Sequence, residues 1–494
     1  MALRPNPFIY EINTWVWLTE LSQVHGRALS LANLPDACIE QIAAWHPDAV
    51  WLMGVWERSP HGRQIALQHP GLQFEFQRVL PDYTPDDIVG SPYAVHQYVV
   101  DAHLGGPEGL SAFRAQLRER DIALILDYVP NHVAVDHAWA VECPACLMRG
   151  TQADLEARPA SYYKVPENGE VIAHGRDPYW PAWTDTAQVN AFSTEGRQKS
   201  LETVLDIAHQ CDGIRCDMAM LLVNHVFAQT WNIAQVPENE FWTDVIPQVK
   251  QQHPAFTFMA EVYWDMEADM QALGFDYTYD KRLYDRLLHE PVYTVRDHLL
   301  AASVYQRKMV RFVENHDEAR AADSFGVQKS LAAAVLTMIL PGAKLVHEGQ
   351  FEGRTIRVPV QMARRPAEKP DQEVLAFYRK LMDEISSAPH HNGVFMTLAS
   401  QAILGADTGH ENLFAFAWAL GADWRLAIIN YSADDVKGRI MLPRQDFAGM
   451  KSWTFNDVLN PGTTALYNGD DLLTSGLPVE LPAYGAHLFT VKRD

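Results

Sequence analysis

Eight short apolar runs alternate with helical patterns along this 494-residue chain, and no other feature constrains its fold as much. The runs are residues 49–55, 94–100, 122–129, 213–217, 256–262, 275–279, 310–315 and 343–347. Several are nearly continuous apolar stretches, the pattern of strands in a parallel sheet covered on both faces. Helical patterns lie between them. Residues 108–120 put Leu110, Phe113 and Leu117 on one face, and 202–209 do the same with Val204, Leu205 and Ala208. Residues 329–340, rich in Ala and Leu, stop at Pro341-Gly342. Such alternation predicts an α/β fold, a (β/α)8 TIM barrel.

Residues 132–190 interrupt the pattern after the third strand. They are rich in Pro, Tyr, Trp and Gly with weak periodicity, which predicts an inserted subdomain at the barrel mouth. Its aromatics Trp139, Tyr162, Tyr163, Tyr179, Trp180 and Trp183 suit stacking against sugar rings, or simply packing of a small subdomain. From residue 389 the pattern changes again. Short β segments at 394–398, 413–418, 424–430 and 487–491 predict a C-terminal all-β domain over 389–494. The barrel then comprises residues 1–131 and 191–388.

A formal net charge of -22 repels phosphate backbones and argues against nucleic acid as a partner. The field is indifferent to a neutral ligand such as a sugar. No window reaches the length of a membrane span, and residues 1–10 hold no continuous apolar core, so the expected location is cytoplasmic. The cysteines are Cys38, Cys143, Cys146, Cys211 and Cys216, too few and too odd in number for a disulfide framework. Cys143-Pro-Ala-Cys146 is a lone CxxC and reads as two ordinary thiols in a loop ahead of a zinc or redox role.

Carboxylates at the ends of apolar strands carry the chemistry, because the C-terminal strand ends of such a barrel line its active site. Asp127, Asp217, Glu261 and Asp317 all follow or close strand-like runs. Arg215 and Asp217 are two residues apart and share a face of an extended strand, so the guanidinium keeps that carboxylate ionised. Glu261 sits between Phe258-Met259-Ala260 and Tyr263-Trp264, an apolar setting that raises a carboxyl pKa. An ionised Asp beside a protonated Glu is the pair a retaining glycosidase needs. On spacing alone, Arg215–Asp217 fits a buried structural ion pair equally well.

Four short segments resemble the signature regions of the α-amylase family, glycoside hydrolase family 13. They are Asp127-Tyr128-Val129-Pro130-Asn131-His132, then Gly213-Ile214-Arg215-Cys216-Asp217, then Glu261 after its apolar run, then Asn315-His316-Asp317. They occur in the family's order. The resemblance implies that Asp217 is the nucleophile, Glu261 the general acid/base, and Asp317 the group that holds the distorted sugar ring. It implies that His132 and His316 bind sugar hydroxyls, with Arg215 in the same site and Asp127, Asn131 and Asn315 in support. Tyr93, in Gly90-Ser91-Pro92-Tyr93, resembles the aromatic platform for that sugar. The implied activity is cleavage of α-1,4-glucosidic bonds in malto-oligosaccharides or α-glucans, through a covalent glycosyl-aspartate, with retention.

The sequence departs from the family at three places. The Lys-His pair three and four residues beyond the nucleophile is replaced by Met220 and Leu221, and the usual Asp of the second-strand motif by Gln97. These changes predict unusual subsites on the leaving-group side. The chemistry calls for no cofactor. The family's structural calcium is in doubt: Asn131 is a candidate ligand, but no clustered Asp/Asn loop accompanies it. Transglycosylation to a sugar or phosphate acceptor would use the same residues. A non-catalytic interaction protein on this fold, or a metal-dependent barrel hydrolase, ranks behind both.

Overall fold

The computed structural model describes residues 1–403, 409–443, 447, 452–462 and 464–493. Eight parallel strands close into a barrel. In chain order they are β1 (Phe8–Asn13), β2 (Ala49–Met53), β3 (Ala123–Tyr128), β4 (Gly213–Cys216), β5 (Thr257–Ala260), β6 (Tyr277–Tyr279), β7 (Met309–Arg311) and β8 (Ala343–His347). Neighbours in sequence are neighbours in the barrel, and β8 returns to β1 with Phe8 opposite Lys344. Nearly every strand residue is buried, as a sheet wrapped by helices requires.

Two expectations change. Residues 94–100 are not a barrel strand: Val95–Val100 pairs antiparallel with Trp56–Arg58 outside the barrel. Its alternating burial fits a half-solvated ribbon, and the polar His96 and Gln97 within the run reflect this. The missing barrel strand is β1, Phe8-Ile9-Tyr10-Glu11-Ile12-Asn13, whose apolar pattern is broken by the buried Glu11 and Asn13. β7 is also shorter than expected, so that residues 312–317 leave the ladder and turn across the barrel mouth.

Helices cover the barrel. Gly106–Arg118 buries Leu110, Phe113 and Leu117. Thr194–Gln210, capped by the Ser193 side chain on Gly196 N, extends further toward its N-terminus than the apolar pattern indicates. Val327–Ile339 ends before Pro341, which cannot continue a helix.

Between β3 and β4, His132–Ala134 pairs with Thr186–Gln188, and Tyr162–Lys164 with Val171–Ala173. These two ribbons enclose a small core of Val133, Leu147, Val165, Ile172 and Val189. Cys143 and Cys146 are joined in a disulfide here, not held as two free thiols. With only two residues between them, both cysteines lie at the ends of one 3-10 turn, Pro144–Cys146.

The C-terminal segment is antiparallel, with a six-stranded sheet in the order Val394–Thr397, Leu413–Leu420, Asp423–Asn430, Ala486–Arg493, Trp453–Asp457, Thr464–Tyr467. Residues 404–408, 444–446, 448–451, 463 and 494 of the expected 389–494 domain lie outside the described residues. One sheet face packs on the barrel helices, where Trp418 Nε1 donates to Ile339 O at 2.7 Å and Tyr431 Oη donates to Leu287 O at 2.8 Å. No helix among the described residues is long and apolar enough to cross a membrane.

Candidate active site

The carboxylates singled out in the sequence converge at the C-terminal rim of the barrel. Asp127 is in β3, Asp217 is the first residue past β4, and Glu261 is the first past β5. Parallel pairing sets their heights: Asp217 N donates to Tyr128 O at 2.8 Å, and Glu261 N donates to Cys216 O at 3.0 Å.

Arg215 organises this rim from inside the barrel, fully buried. Its Nη1 donates to Asp217 Oδ1 at 2.8 Å and lies 3.8 Å from Asp127 Oδ1. Its Nη2 lies 2.8 Å from Glu261 Oε2, in an ion contact that is not aligned as a hydrogen bond. The fork therefore serves both carboxylates rather than Asp217 alone, and only the Asp217 contact is a hydrogen bond. Rings of Trp51, Tyr93 and Tyr279 stand 5.4, 5.3 and 5.7 Å from the guanidinium carbon. Against the desolvation of burial, Glu261 and the other anions keep this arginine firmly charged.

Glu261 is also bonded by Met218 N to Oε2 at 2.7 Å and by the Tyr263 hydroxyl to Oε1 at 2.8 Å. Met218 reaches it from a left-handed conformation (φ 43°), a strained state typical of functional turns. Burial nevertheless pushes the Glu261 carboxyl up to about 7, with the charges of Asp217 and Asp317 acting in the same direction and Arg215 opposing. Burial also raises Asp217, against the charge and hydrogen bond of Arg215. Burial takes Asp127 up to about 6, while its Oδ2 accepts from Gly54 N at 3.1 Å.

Asp317 faces these groups from the loop after β7. The Asn315 side chain accepts from the backbone N of Asp317 and Glu318 at 2.9 and 3.0 Å, fixing the turn. His316 Nε2 lies 2.9 Å from Asp317 Oδ2 and 2.6 Å from Tyr93 Oη. Its ring stacks on Tyr93 with centroids 5.5 Å apart. Against desolvation, the His316 charge and hydrogen bond bring Asp317 down to about 2. The Asp317 side chain is 43% exposed, whereas Asp217 and Glu261 are 9% and 4% exposed, so Asp317 is the most open of the three to an incoming ligand.

His132 opens the ribbon that leaves β3. It hydrogen-bonds the Tyr93 backbone, and its ring lies 5.0 Å from that of Trp183. Burial takes it down to about 4, so it is a neutral imidazole. The carbonyl and side-chain oxygens of Asn131, the candidate calcium ligand, both accept from Gln188 Nε2, at 2.8 and 2.9 Å. Among the described residues no cluster of three or more His, Cys, Asp or Glu is placed to hold a metal ion. Met220 and Leu221 are buried in the short 3-10 turn Ala219–Leu222 and present no polar side chain to a ligand.

Several contributors escaped the sequence reading. Glu11 of β1 accepts from His316 Nδ1, and Trp51 of β2 meets the same ring edge-on at 5.5 Å. Their positions on the first two strands give them inward directions, but the chain pattern around Glu11 hides its strand. A cavity of about 470 Å³ opens beside Glu261 through Met218 and Tyr263. Trp180 of the inserted segment and Trp264 of the loop after β5 line it. Trp264 and Asp265 both have positive φ, 65° and 60°, and Arg282 holds Asp265 by two bonds of 2.8 and 2.6 Å.

A closed barrel with an insertion after β3 and an antiparallel C-terminal sheet is a fold this chain shares with solved α-amylases. The four motifs predict the same class. No protein-family model matches the chain. Among curated proteins it is 24% identical over 321 residues to the α-amylase MalA of Haloarcula japonica, a match covering 62% of this chain and 39% of that protein. It is 21% identical over 291 residues to α-amylase 3 of Dictyoglomus thermophilum, covering 54% of this chain and 55% of that one. The matches thus span little more than half of these relatives at most. Among solved structures, the maltogenic α-amylase AmyB of Thermotoga neapolitana superposes with a TM-score of 0.67 at 17% identity, covering 99% of both chains. The α-amylase of Geobacillus thermoleovorans, solved with acarbose, gives 0.67 at 17% over 100% of both. The debranching enzyme of Nostoc punctiforme gives 0.65 at 16% over 99% of this chain and 100% of that one. At these identities the shared property is the fold, over its whole described length.

Proposed function

We propose that this chain is a retaining α-glycosidase acting on malto-oligosaccharides or related α-glucans. The observation that carries this reading is the Arg215 fork, with Asp217 on one terminal nitrogen and Glu261 on the other, each at 2.8 Å. Two carboxyls on one fork suit the ~5–5.5 Å spacing of a retaining pair better than the ~6.5–9.5 Å of an inverting pair.

Asp217, ionised beside Arg215, attacks the anomeric carbon. Glu261 gives its proton to the departing glycosidic oxygen, and a glycosyl ester of Asp217 forms. Glu261, now a carboxylate, takes a proton from water. That water attacks the anomeric carbon, breaks the ester and frees Asp217. Two inversions give net retention. Asp317, ionised across the site, holds ring hydroxyls as positive charge develops, and Tyr93 offers a face to the sugar. His132 and His316 hydrogen-bond its hydroxyls, His316 by exchanging an Nε2 contact to Tyr93 or Asp317 for one to the sugar.

Transfer to a sugar acceptor is the second reading, favoured by the cavity lined by Trp180, Trp264, Met218 and Tyr263. Phosphate suits that cavity poorly. Its two cations are already paired, Arg282 with Asp265 and Lys281 with Asp285, and Asp177 and Glu267 add negative charge. Maltoheptaose digestion tests both readings. Shorter malto-oligosaccharides from the wild type and none from Asp217→Asn support hydrolysis, products longer than the substrate support transfer, and no turnover of any α-glucan refutes the substrate class.

A further inference from the structure

The chain leaves the barrel at Asn131 and comes back to it through Gln188 and Val189. Gln188 is fully buried. Its Nε2 donates to three oxygens: the Asn131 carbonyl at 2.8 Å, Asn131 Oδ1 at 2.9 Å and the Val189 carbonyl at 3.1 Å. Its Oε1 accepts from Arg176 N at 3.3 Å and from Asn131 Nδ2 at 3.4 Å. The same Asn131 Nδ2 lies 3.3 Å from His132 Nδ1. One carboxamide thus ties together both ends of the inserted segment and, through Asn131, the histidine beside Tyr93.

Several oxygens converging on one point is what a hard cation arranges around itself. A calcium ion takes six to eight oxygens at about 2.3–2.6 Å, carboxylates among them. Here the convergence is on an N–H donor, at hydrogen-bonding distances, and the amide is satisfied at both its nitrogen and its oxygen. A cation at this point would face the amide's protons, with the Asn131 carbonyl already accepting from both Gln188 and Val189 N and Asn131 Oδ1 accepting from Gln188.

We infer that the Gln188 carboxamide takes the place of a structural calcium ion, so that the inserted segment and His132 are fixed to the barrel without metal. Burial makes this junction sensitive to Gln188: removing the amide takes the donor from Asn131 Oδ1 and the Val189 carbonyl and leaves the Asn131 carbonyl with Val189 N alone. The inference concerns stability and does not depend on which glycoside, if any, is turned over.

Calorimetry on the full chain tests it. The wild type is expected to show the same Tm after exhaustive dialysis against EDTA as in millimolar calcium, and elemental analysis of the purified protein to find no stoichiometric calcium. Gln188→Ala is expected to melt several degrees lower, equally in both buffers. A wild-type Tm that falls in EDTA and returns with calcium overturns the inference, as does one calcium per chain in the purified protein. An unchanged Tm in Gln188→Ala overturns it too. Should that variant fail to fold, the wild-type melting and metal content still decide.

Discussion

Glu11 on the first barrel strand accepts a hydrogen bond from Nδ1 of His316, 305 residues away at the end of the barrel's seventh segment. Both side chains are buried, and the opposite ring nitrogen of His316 faces Asp317. Desolvation works against a charged imidazole, but Asp317 and Glu11 together hold His316 well above the ordinary histidine range. Replacing Glu11 by Gln removes one of these anions, weakens the imidazolium and lets the Asp317 pKa rise from about 2. Loss of a charge-assisted hydrogen bond of about 1.5–3 kcal/mol predicts a fall in kcat/KM of roughly tenfold or more. Steady-state kinetics on maltoheptaose check this, and circular dichroism separates it from misfolding.

The proposed role of Glu261 predicts the pH dependence. As general acid it must be protonated, and burial raises it to about 7. Activity is therefore expected to fall as pH rises through about 7, giving the alkaline limb of the kcat/KM profile. Tyr263 donates to the carboxylate form, so Tyr263→Phe favours the acid and moves that limb to higher pH. The acid limb is expected from Asp217, whose pKa burial raises from the ordinary aspartate value against the charge of Arg215. A profile flat through neutrality would remove Glu261 from this role.

Arg215→Lys tests the fork. An ammonium cannot span two carboxyls on two nitrogens, so one of Asp217 and Glu261 loses its partner. The expected effect is a loss of roughly 10²-fold or more in kcat, read in single-turnover assays, with the variant less stable because a buried cation has been changed. A variant with nearly full kcat would show that the shared guanidinium is not part of the chemistry.

If the cavity beside Glu261 takes the acceptor, as the second reading has it, Trp264 bears on transfer. Truncating Trp264 to Ala removes a ring face worth about 0.5–1.5 kcal/mol of stacking. Products of transfer to added maltose, measured by chromatography against free reducing ends, are expected to drop by about two- to tenfold while hydrolysis persists. Equal loss of both products would place Trp264 outside acceptor binding.

Much of the barrel and all four motif carboxylates were legible in the chain, because fully buried parallel strands write themselves as apolar runs and three of the motifs close a strand, the fourth, Asn315-His316-Asp317, lying in the loop just past β7. β1 was not, since Glu11 and Asn13 break its run for reasons that only appear across the barrel, where one holds His316 and the other caps the next helix. Residues 94–100 mimic a strand of the barrel because a half-exposed ribbon also favours Val and Tyr. Arg215 and Asp217 share a strand face, but the reach of the same guanidinium to Glu261 depends on how β4 and β5 are registered. Gln188 carries no local signal at all: a lone Gln in a short ribbon matters only because its register partner is His132, next to Asn131. The Cys143–Cys146 bond was hidden for a different reason, as the same spacing serves thiols, metals and disulfides alike.

The most direct test of the double displacement at Asp217 is the anomeric form of the first product, followed by proton NMR as maltoheptaose is cleaved and before mutarotation sets in. The Arg215-bridged pair predicts that the new reducing end appears as the α-anomer and that Asp217→Asn releases none. A β-anomer appearing first would mean single inversion by water, and would contradict the assignment of Asp217 as nucleophile.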